Sequence, residues 1–183
     1  MANFNVVVPI LDKAEGGKNS NPRDNAANYP APDSGGVHTN RGITYRTFIE
    51  NAAKFGYVVS TPLFLQMPDK IRNEIAKRNY WDVLKLDKIN SNKKAYLLFD
   101  FAFNSGTHWP IVIAQELLGI PKDGIAGTQF VDALNNADED SFGEKITAAR
   151  VLFIQNSSRI HESLKAELIS RVLDALKKNC PMW

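Results

Sequence analysis

Residues Asn92 to Ser105, NKKAYLLFDFAFNS, carry apolar side chains around nearly the whole helical wheel, and Gly106 stops the run. Such a helix cannot lie on a surface, because any side turned to water would expose aliphatic or aromatic area. The rest of the chain must wrap around it, and this stretch is the expected central core element. A chain of 183 residues suffices for one domain with a substantial core. Its 44% hydrophobic and 23% charged residues are ordinary for a globular domain.

The wrapping segments are helical by period. Phe4 to Glu15 places Val7, Val8, Ile10, Leu11 and Ala14 on one broad apolar face. Thr44 or Thr47 can cap a helix carrying Phe48, Ile49, Ala52, Ala53 and Phe55, which Gly56 ends. Tyr57 to Leu65 reads as irregular. Met67-Pro68-Asp69 opens another helix, with Pro68 suited to its first turn. Pro110 to Leu118, Phe130 to Leu134, Ile146 to Gln155 and Ile160 to Lys178 follow, with Gly143, Asn156 and Ser157 as breaks. Asp138 to Ser141 reads as the solvated start of a helix, and Ile160, Leu164, Leu168, Val172 and Ala175 form an apolar stripe that packs back on the body.

Chemistry is expected between Glu15 and Thr44. Glu15 closes the first helix, and Gly16 and Gly17 stop it. A carboxylate in the last turn faces the negative end of the helix dipole, which disfavours its charged form. That position is wrong for stability and suited to a proton donor, more so if apolar neighbours desolvate the group. The bland alternative is a solvated glutamate at a helix end. The Gly/Pro/Asn/Asp-rich loop that follows supplies Asp24, Asp33 and Thr39 before a new helix begins near Tyr45. An acid on a helix beside a carboxylate and a hydroxyl on a loop or hairpin is the set that glycosidic hydrolysis needs: one group protonates the leaving oxygen, the others activate water or offset oxocarbenium charge.

These residues resemble the N-terminal motif of the bacterial and phage muramidases of glycoside hydrolase family 108, which also go under the name secretion activator proteins. That motif reads approximately E-G-G-Y-x-N-D-P-x-D-x-G-G-x-T-x-x-G-I-T. Glu15, Gly16, Gly17, Pro22 and Asp24 match its first half without a gap, and Thr39-Asn40-Arg41-Gly42-Ile43-Thr44 matches its end. Relative to the motif this chain carries an insertion, about Asn25 to Asp33, and one extra residue between Gly36 and Thr39. The aspartate assignment therefore stays open: the ungapped register favours Asp24, and Asp33-Ser34-Gly35-Gly36 also imitates D-x-G-G.

Three further stretches bear on the resemblance. Asp100-Phe101-Ala102-Phe103-Asn104-Ser105-Gly106 is similar to the family's D-F-A-x-N-S-G; Asp100 and Asn104 share a helical face, where they serve either a structural network or substrate. Tyr80-Trp81 parallels a family Y-W; these rings either stack on sugar faces or pack in the core. Leu118 to Thr128, LGIPKDGIAGT, resembles the signature of small helical peptidoglycan-binding repeats, with the threonine two positions early. Asp123-Gly124 reads there as a tight turn, mainly a mark of the fold.

Other classes find no support. A net charge of +2 is too weak to argue for nucleic acid, though it suits approach to an anionic wall. His38, His108 and His161 lie far apart and show no metal-ligand spacing, so no metal and no cofactor are expected. There is no P-loop, GxGxxG or GxSxG. The lone Cys180 excludes an internal disulfide and reads as a bystander. The N-terminus lacks the form of a signal peptide and no stretch is apolar enough for a membrane span, so synthesis in the cytoplasm is expected, with action on the wall after release or holin-like export.

The resemblance implies a predominantly helical, lysozyme-like α+β fold with a small hairpin after the first helix. It implies one domain over 1–183, with a catalytic part over about 1–90 and a helical part carrying the peptidoglycan-binding-like motif over 91–183. The implied activity is cleavage of β-1,4 bonds between N-acetylmuramic acid and N-acetylglucosamine by a monomer acting on peptidoglycan. Glu15 would be the general acid, Asp24 or Asp33 the second carboxylate, Thr39 an aid in placing water, and Trp81, Tyr80 and Asn104 substrate contacts. Likeness to phage-type lysozymes favours inversion. The competing reading is a binding or secretion-assisting protein on the same scaffold, its cleft remodelled by the insertion after Asp24.

Overall fold

The computed structural model describes residues 1–177, the side chains of 12–15 and 177 excepted. Helix α1 (Phe4–Glu15) starts at Asn3, whose side chain accepts the Asn5 amide, and stops at Gly16 with φ +65°. Three short strands follow: β1 (Lys18–Asn19), β2 (Thr39–Asn40) and β3 (Ile43–Thr44). They form an antiparallel sheet in that order, with Asn19 opposite Thr39 and Thr39 opposite Thr44. The β2–β3 turn has two residues, Arg41 and Gly42, both at positive φ, which matches the twist of a tight hairpin. Arg41 also donates its amide to the Gly17 carbonyl at 3.0 Å, tying the turn to the end of α1.

Helix α2 (Tyr45–Ala52) is capped by Thr44, whose hydroxyl accepts the Thr47 amide. The segment expected to be irregular contains a short helix, α3 (Thr61–Leu65). Ser60 caps it and Pro62 occupies its first turn, local signals that the spacing of apolar residues did not reveal. Phe64 from α3 packs against Tyr45 and Phe48 of α2 at ring distances of 5.1 and 5.5 Å, and the buried Asn40 side chain donates to the Phe64 carbonyl at 2.6 Å. This aromatic cluster fixes the hairpin to the body. Helix α4 (Asp69–Ala76) begins after Pro68 and runs into a π-helical turn over Lys77–Trp81.

Helix α5 (Asn92–Ser105) is the buried centre, with every residue from Lys94 to Phe103 inside and Gly106 at its end. Its Phe99 meets Phe4 of α1 and Trp81 edge to face at 5.8 and 5.4 Å. Helices α6 (His108–Leu117), α7 (Thr128–Asn136), α8 (Glu139–Asn156) and α9 (Glu162–Lys177) complete the wrapping. One hydrophobic cluster runs from Ala2 to Ala175. Helix α8 passes through Gly143 without a break. That glycine is buried against Leu97 and Lys93 of α5, so packing outweighs its helix-propensity cost of about 1 kcal/mol. Asp138 caps α8 through the Ser141 amide, as expected for the start of a helix. Lys94 reaches from α5 to the carbonyls of Leu134 and Ala137 at 2.6 and 3.0 Å, satisfying the C-terminal end of α7. The protein is thus predominantly helical α+β with one small hairpin sheet. No helix among the described residues is long and apolar enough to cross a membrane. Cys180 lies outside the described residues.

The LGIPKDGIAGT stretch folds as a lock between α6 and α7. Buried Gln115 donates to Asp123 Oδ1 at 2.6 Å and accepts from the Gly124 amide at 2.9 Å, while Asp123 also accepts from the Ile125 amide. The Ile125 amide and then Gln115 hold the Asp123 carboxyl below its ordinary value of 3.8. A carboxylate with a lowered folded-state pKa stabilises above its unfolded value and loses that contribution as pH falls through the folded one. Asp123→Asn is therefore expected to melt below wild type at pH 6, with the gap closing as the pH is lowered from 3.8; a gap that stays constant would remove the carboxylate from the lock.

Candidate active site

The hairpin gathers the polar residues that follow α1 around Asn19. This residue pairs with Thr39 across the β1–β2 ladder, and its side-chain nitrogen donates to Asp24 Oδ2 at 3.1 Å. Its side-chain oxygen accepts the Asn21 amide at 2.8 Å, so the amide orientation is defined from both ends. The other Asp24 oxygen accepts the Ala26 amide at 2.9 Å and caps a 3-10 turn over Asn25–Asn28. Asp24 is half-buried and held by two hydrogen bonds beside the strand that starts three residues after Glu15.

Thr39 is fixed by His38, a residue to which the sequence assigned no role. His38 is fully buried, with Nε2 3.2 Å from the Asn21 carbonyl and Nδ1 2.9 Å from Thr39 Oγ1. A carbonyl can only accept, so Nε2 carries the proton in the neutral ring and Nδ1 is the acceptor. Thr39 must then donate to His38, which turns its oxygen lone pairs outward to accept from another donor. The backbone repeats the connection: the His38 amide donates to the Asn19 carbonyl at 3.0 Å, and its carbonyl accepts from Tyr45 at 2.8 Å. Nothing in residue types or spacing marks His38 or Asn19 for these roles, because both depend on a pairing between segments twenty residues apart.

Asp33 is placed differently. It is exposed at φ +53° in the turn that leads to β2, a left-handed position that aspartate tolerates better than most side chains. Ser34 beside it closes the turn by donating to the Ala31 carbonyl at 2.5 Å. Helix α1 ends at residue 15 as expected, but the Glu15 side chain lies outside the described residues.

Trp81 is corrected to a core residue. Its exposure is 0%, its ring lies edge to face with Phe4 and Phe99, and Nε1 donates to Asp87 at 2.6 Å. A sugar cannot reach it. The π-helical turn directs the ring inward, and a 3.6-residue period drawn through this stretch cannot anticipate that. Tyr80 is half-buried and packs edge-on against Phe103 at 5.1 Å, largely a structural contact. Asp100 is buried in an ion pair with Arg150 of α8, and its other oxygen lies 3.6 Å from Arg171 of α9. Asn104 donates to the Asp100 carbonyl at 2.8 Å and accepts from Arg171 at 2.7 Å. The pair is therefore a network joining three helices. Asn104 is also exposed and lines a groove beside α6 and α8.

The family model described as Glycosyl hydrolase 108 matches residues 8–106. The chain belongs to this family. The matched stretch begins inside α1, contains Glu15, the whole hairpin and the buried centre of α5, and ends at Gly106; α6 to α9 lie beyond it. Among solved structures, SagA of Brucella abortus is similar in fold, with a TM-score of 0.78 and 22% identity over 98% of this chain and 94% of that one. The likeness extends the shared architecture through the helices outside the family match, and the fold is lysozyme-like, predominantly helical α+β. No curated protein matches the chain. No group of three or more His, Cys, Asp or Glu side chains suited to a metal occurs among the described residues.

Proposed function

We propose that this member of the family is an N-acetylmuramidase that cleaves β-1,4 bonds between N-acetylmuramic acid and N-acetylglucosamine in peptidoglycan. The observation that carries the reading is the convergence of Asp24 and Thr39 on Asn19, four residues past the helix-end glutamate. In this mechanism Glu15 donates its proton to the leaving glycosidic oxygen as the bond from that oxygen to the anomeric carbon breaks. Water attacks the same carbon from the opposite face, Thr39 accepts one of its hydrogen bonds, and Asp24 takes the proton that water loses. The proton count balances: Glu15 ends ionised, Asp24 ends protonated, and exchange with solvent resets both. His38 is a positioning residue that keeps the Thr39 hydroxyl turned to accept.

The test is release of reducing ends from isolated peptidoglycan by purified protein, with Glu15→Gln as the control. Proton NMR of the first products reads the stereochemistry, and α-anomers support inversion, whereas initial β-anomers overturn the water-activating role of Asp24. Thr39→Val keeps shape and loses the hydroxyl. It is expected to slow turnover about 10- to 100-fold with KM little changed, because a misplaced water costs rate more than binding, and to lower the melting temperature by a few degrees, because buried His38 Nδ1 loses its donor. Unchanged turnover would take Thr39 out of the mechanism.

The second reading, a protein that binds wall glycan without cutting it, is favoured by one contact. Asn25, in the insertion, donates to the backbone carbonyl of Arg159 between α8 and α9, so the insertion reaches across to the helical part. Binding to peptidoglycan with no reducing ends from the wild type would select it.

A further inference from the structure

The tryptophan exposed beside this site is Trp109 in the first turn of α6. It is 45% exposed and lies on the wall of a groove of about 960 Å³ between α6, α8 and the α8–α9 connection. The same groove is bounded by Asn104 and by Asn25, the residue that follows Asp24. The ring is held from below: its centroid is 5.8 Å from Phe153 of α8, which meets Phe101 of α5 edge to face at 5.4 Å. His108 braces the other side at 5.3 Å and itself packs closely over Gly124. A large aromatic that keeps nearly half its surface wet while its base is fixed by the core has lost side-chain freedom before any ligand arrives, which lowers the entropy cost of binding on it.

We propose that Trp109 is the stacking platform of a glycan subsite, taking an N-acetylated pyranose a sugar or more away from the bond that is cut. The groove offers an aromatic face for the C–H side of a pyranose, and the Asn156 amide with the hydroxyls of Ser157 and Ser158 for ring hydroxyls and an N-acetyl group; Asn25 and Asn104, engaged with the Arg159 carbonyl and with Asp100 and Arg171, border it. Its walls are mostly apolar and amide-bearing, which suits the face of a sugar; of the charged residues that line it, Lys122 is engaged with Glu116, and Arg159 stands in the α8–α9 connection. Asn25, the residue after Asp24, is the link between the groove and the site. The subsite rests on the proposed action on glycan.

The test is carried out on the full-length Glu15→Gln protein, so that the probe is not consumed, with the tetramer of N-acetylglucosamine titrated by calorimetry. Trp109→Ala is expected to weaken binding about tenfold and Trp109→Phe by less, as loss and partial retention of one aromatic face. On peptidoglycan with an intact Glu15, Trp109→Ala should raise KM and leave kcat within about twofold, the pattern of an interaction made equally in the ground and transition states. Equal tetramer affinity in all three proteins overturns the subsite, and so does binding of a free stem tetrapeptide, sensitive to Trp109, in place of the sugar. If wild type fails to cleave yet the Trp109-dependent affinity is present, the muramidase reading falls and the subsite stands; normal cleavage with no Trp109 effect gives the reverse.

Discussion

Glu15→Gln is expected to lower the release of reducing ends from peptidoglycan by about 10²- to 10⁴-fold, the usual contribution of a positioned general acid. The amide keeps the size of the side chain but has no proton to give the leaving sugar. The same substitution relieves a charge at the negative end of α1, so its melting temperature should equal or exceed that of wild type. Lost activity with retained or raised stability is the pattern of a catalytic group in an electrostatically poor place. A matched pair of aspartate variants extends the argument. Asp24→Asn should cost a comparable factor, whereas Asp33→Asn should leave cleavage within about twofold, since Asp33 stands exposed in a turn and Asp24 is held by Asn19 and the Ala26 amide. A large loss at Asp33 with none at Asp24 would reverse the assignment, and full activity in Glu15→Gln would end the hydrolytic reading.

The second large effect concerns stability. Arg150→Met is expected to destabilise the fold by about 3–5 kcal/mol, because it leaves the Asp100 carboxylate buried without its main counter-charge. For a chain of this size that corresponds to a fall of about 6–20 °C in melting temperature. Arg171 remains 3.6 Å from the other Asp100 oxygen, but it is partly exposed and cannot replace a fully desolvated partner. The double variant Arg150→Met, Asp100→Leu should recover much of the loss, since two apolar side chains of similar volume remove the stranded charge. The site gives this pair its interest. Asn104 hangs from the Asp100 carbonyl and from Arg171, so the network that joins α5, α8 and α9 also positions an amide in the groove. A double variant no more stable than Arg150→Met would show that the pair acts through packing alone.

The elements that the sequence made legible are those whose cause is local. Asn92–Ser105 is apolar all round and is the buried centre; Thr44 and Asp138 stand at helix starts because a side-chain oxygen reaches an amide three residues ahead. The family motif located the hairpin from its glycines, one of which sits in a two-residue turn that requires positive φ. Less local features were missed. Gly143 reads as a break, yet it lies inside an 18-residue helix because α5 packs against it there. Trp81 and Trp109 show the same limit in reverse: each is a tryptophan near an aromatic neighbour in the sequence, and a π-helical turn buries one while the first turn of α6 leaves the other over a groove.

By itself, the sequence determined the helical wrapping of one apolar helix, the glycine-stopped end of α1 and the set of acid, carboxylate and hydroxyl types that follow it. Tertiary structure decided which of these side chains meet. Asp24 and Thr39 converge only because β1 pairs with β2, and His38 acquires its tautomer only because a carbonyl seventeen residues earlier faces Nε2. Helix propensity and capping act within a few bonds of a residue and can be read along the chain. Hydrogen bonds across strands and aromatic contacts between helices depend on distances that exist only after the chain has folded.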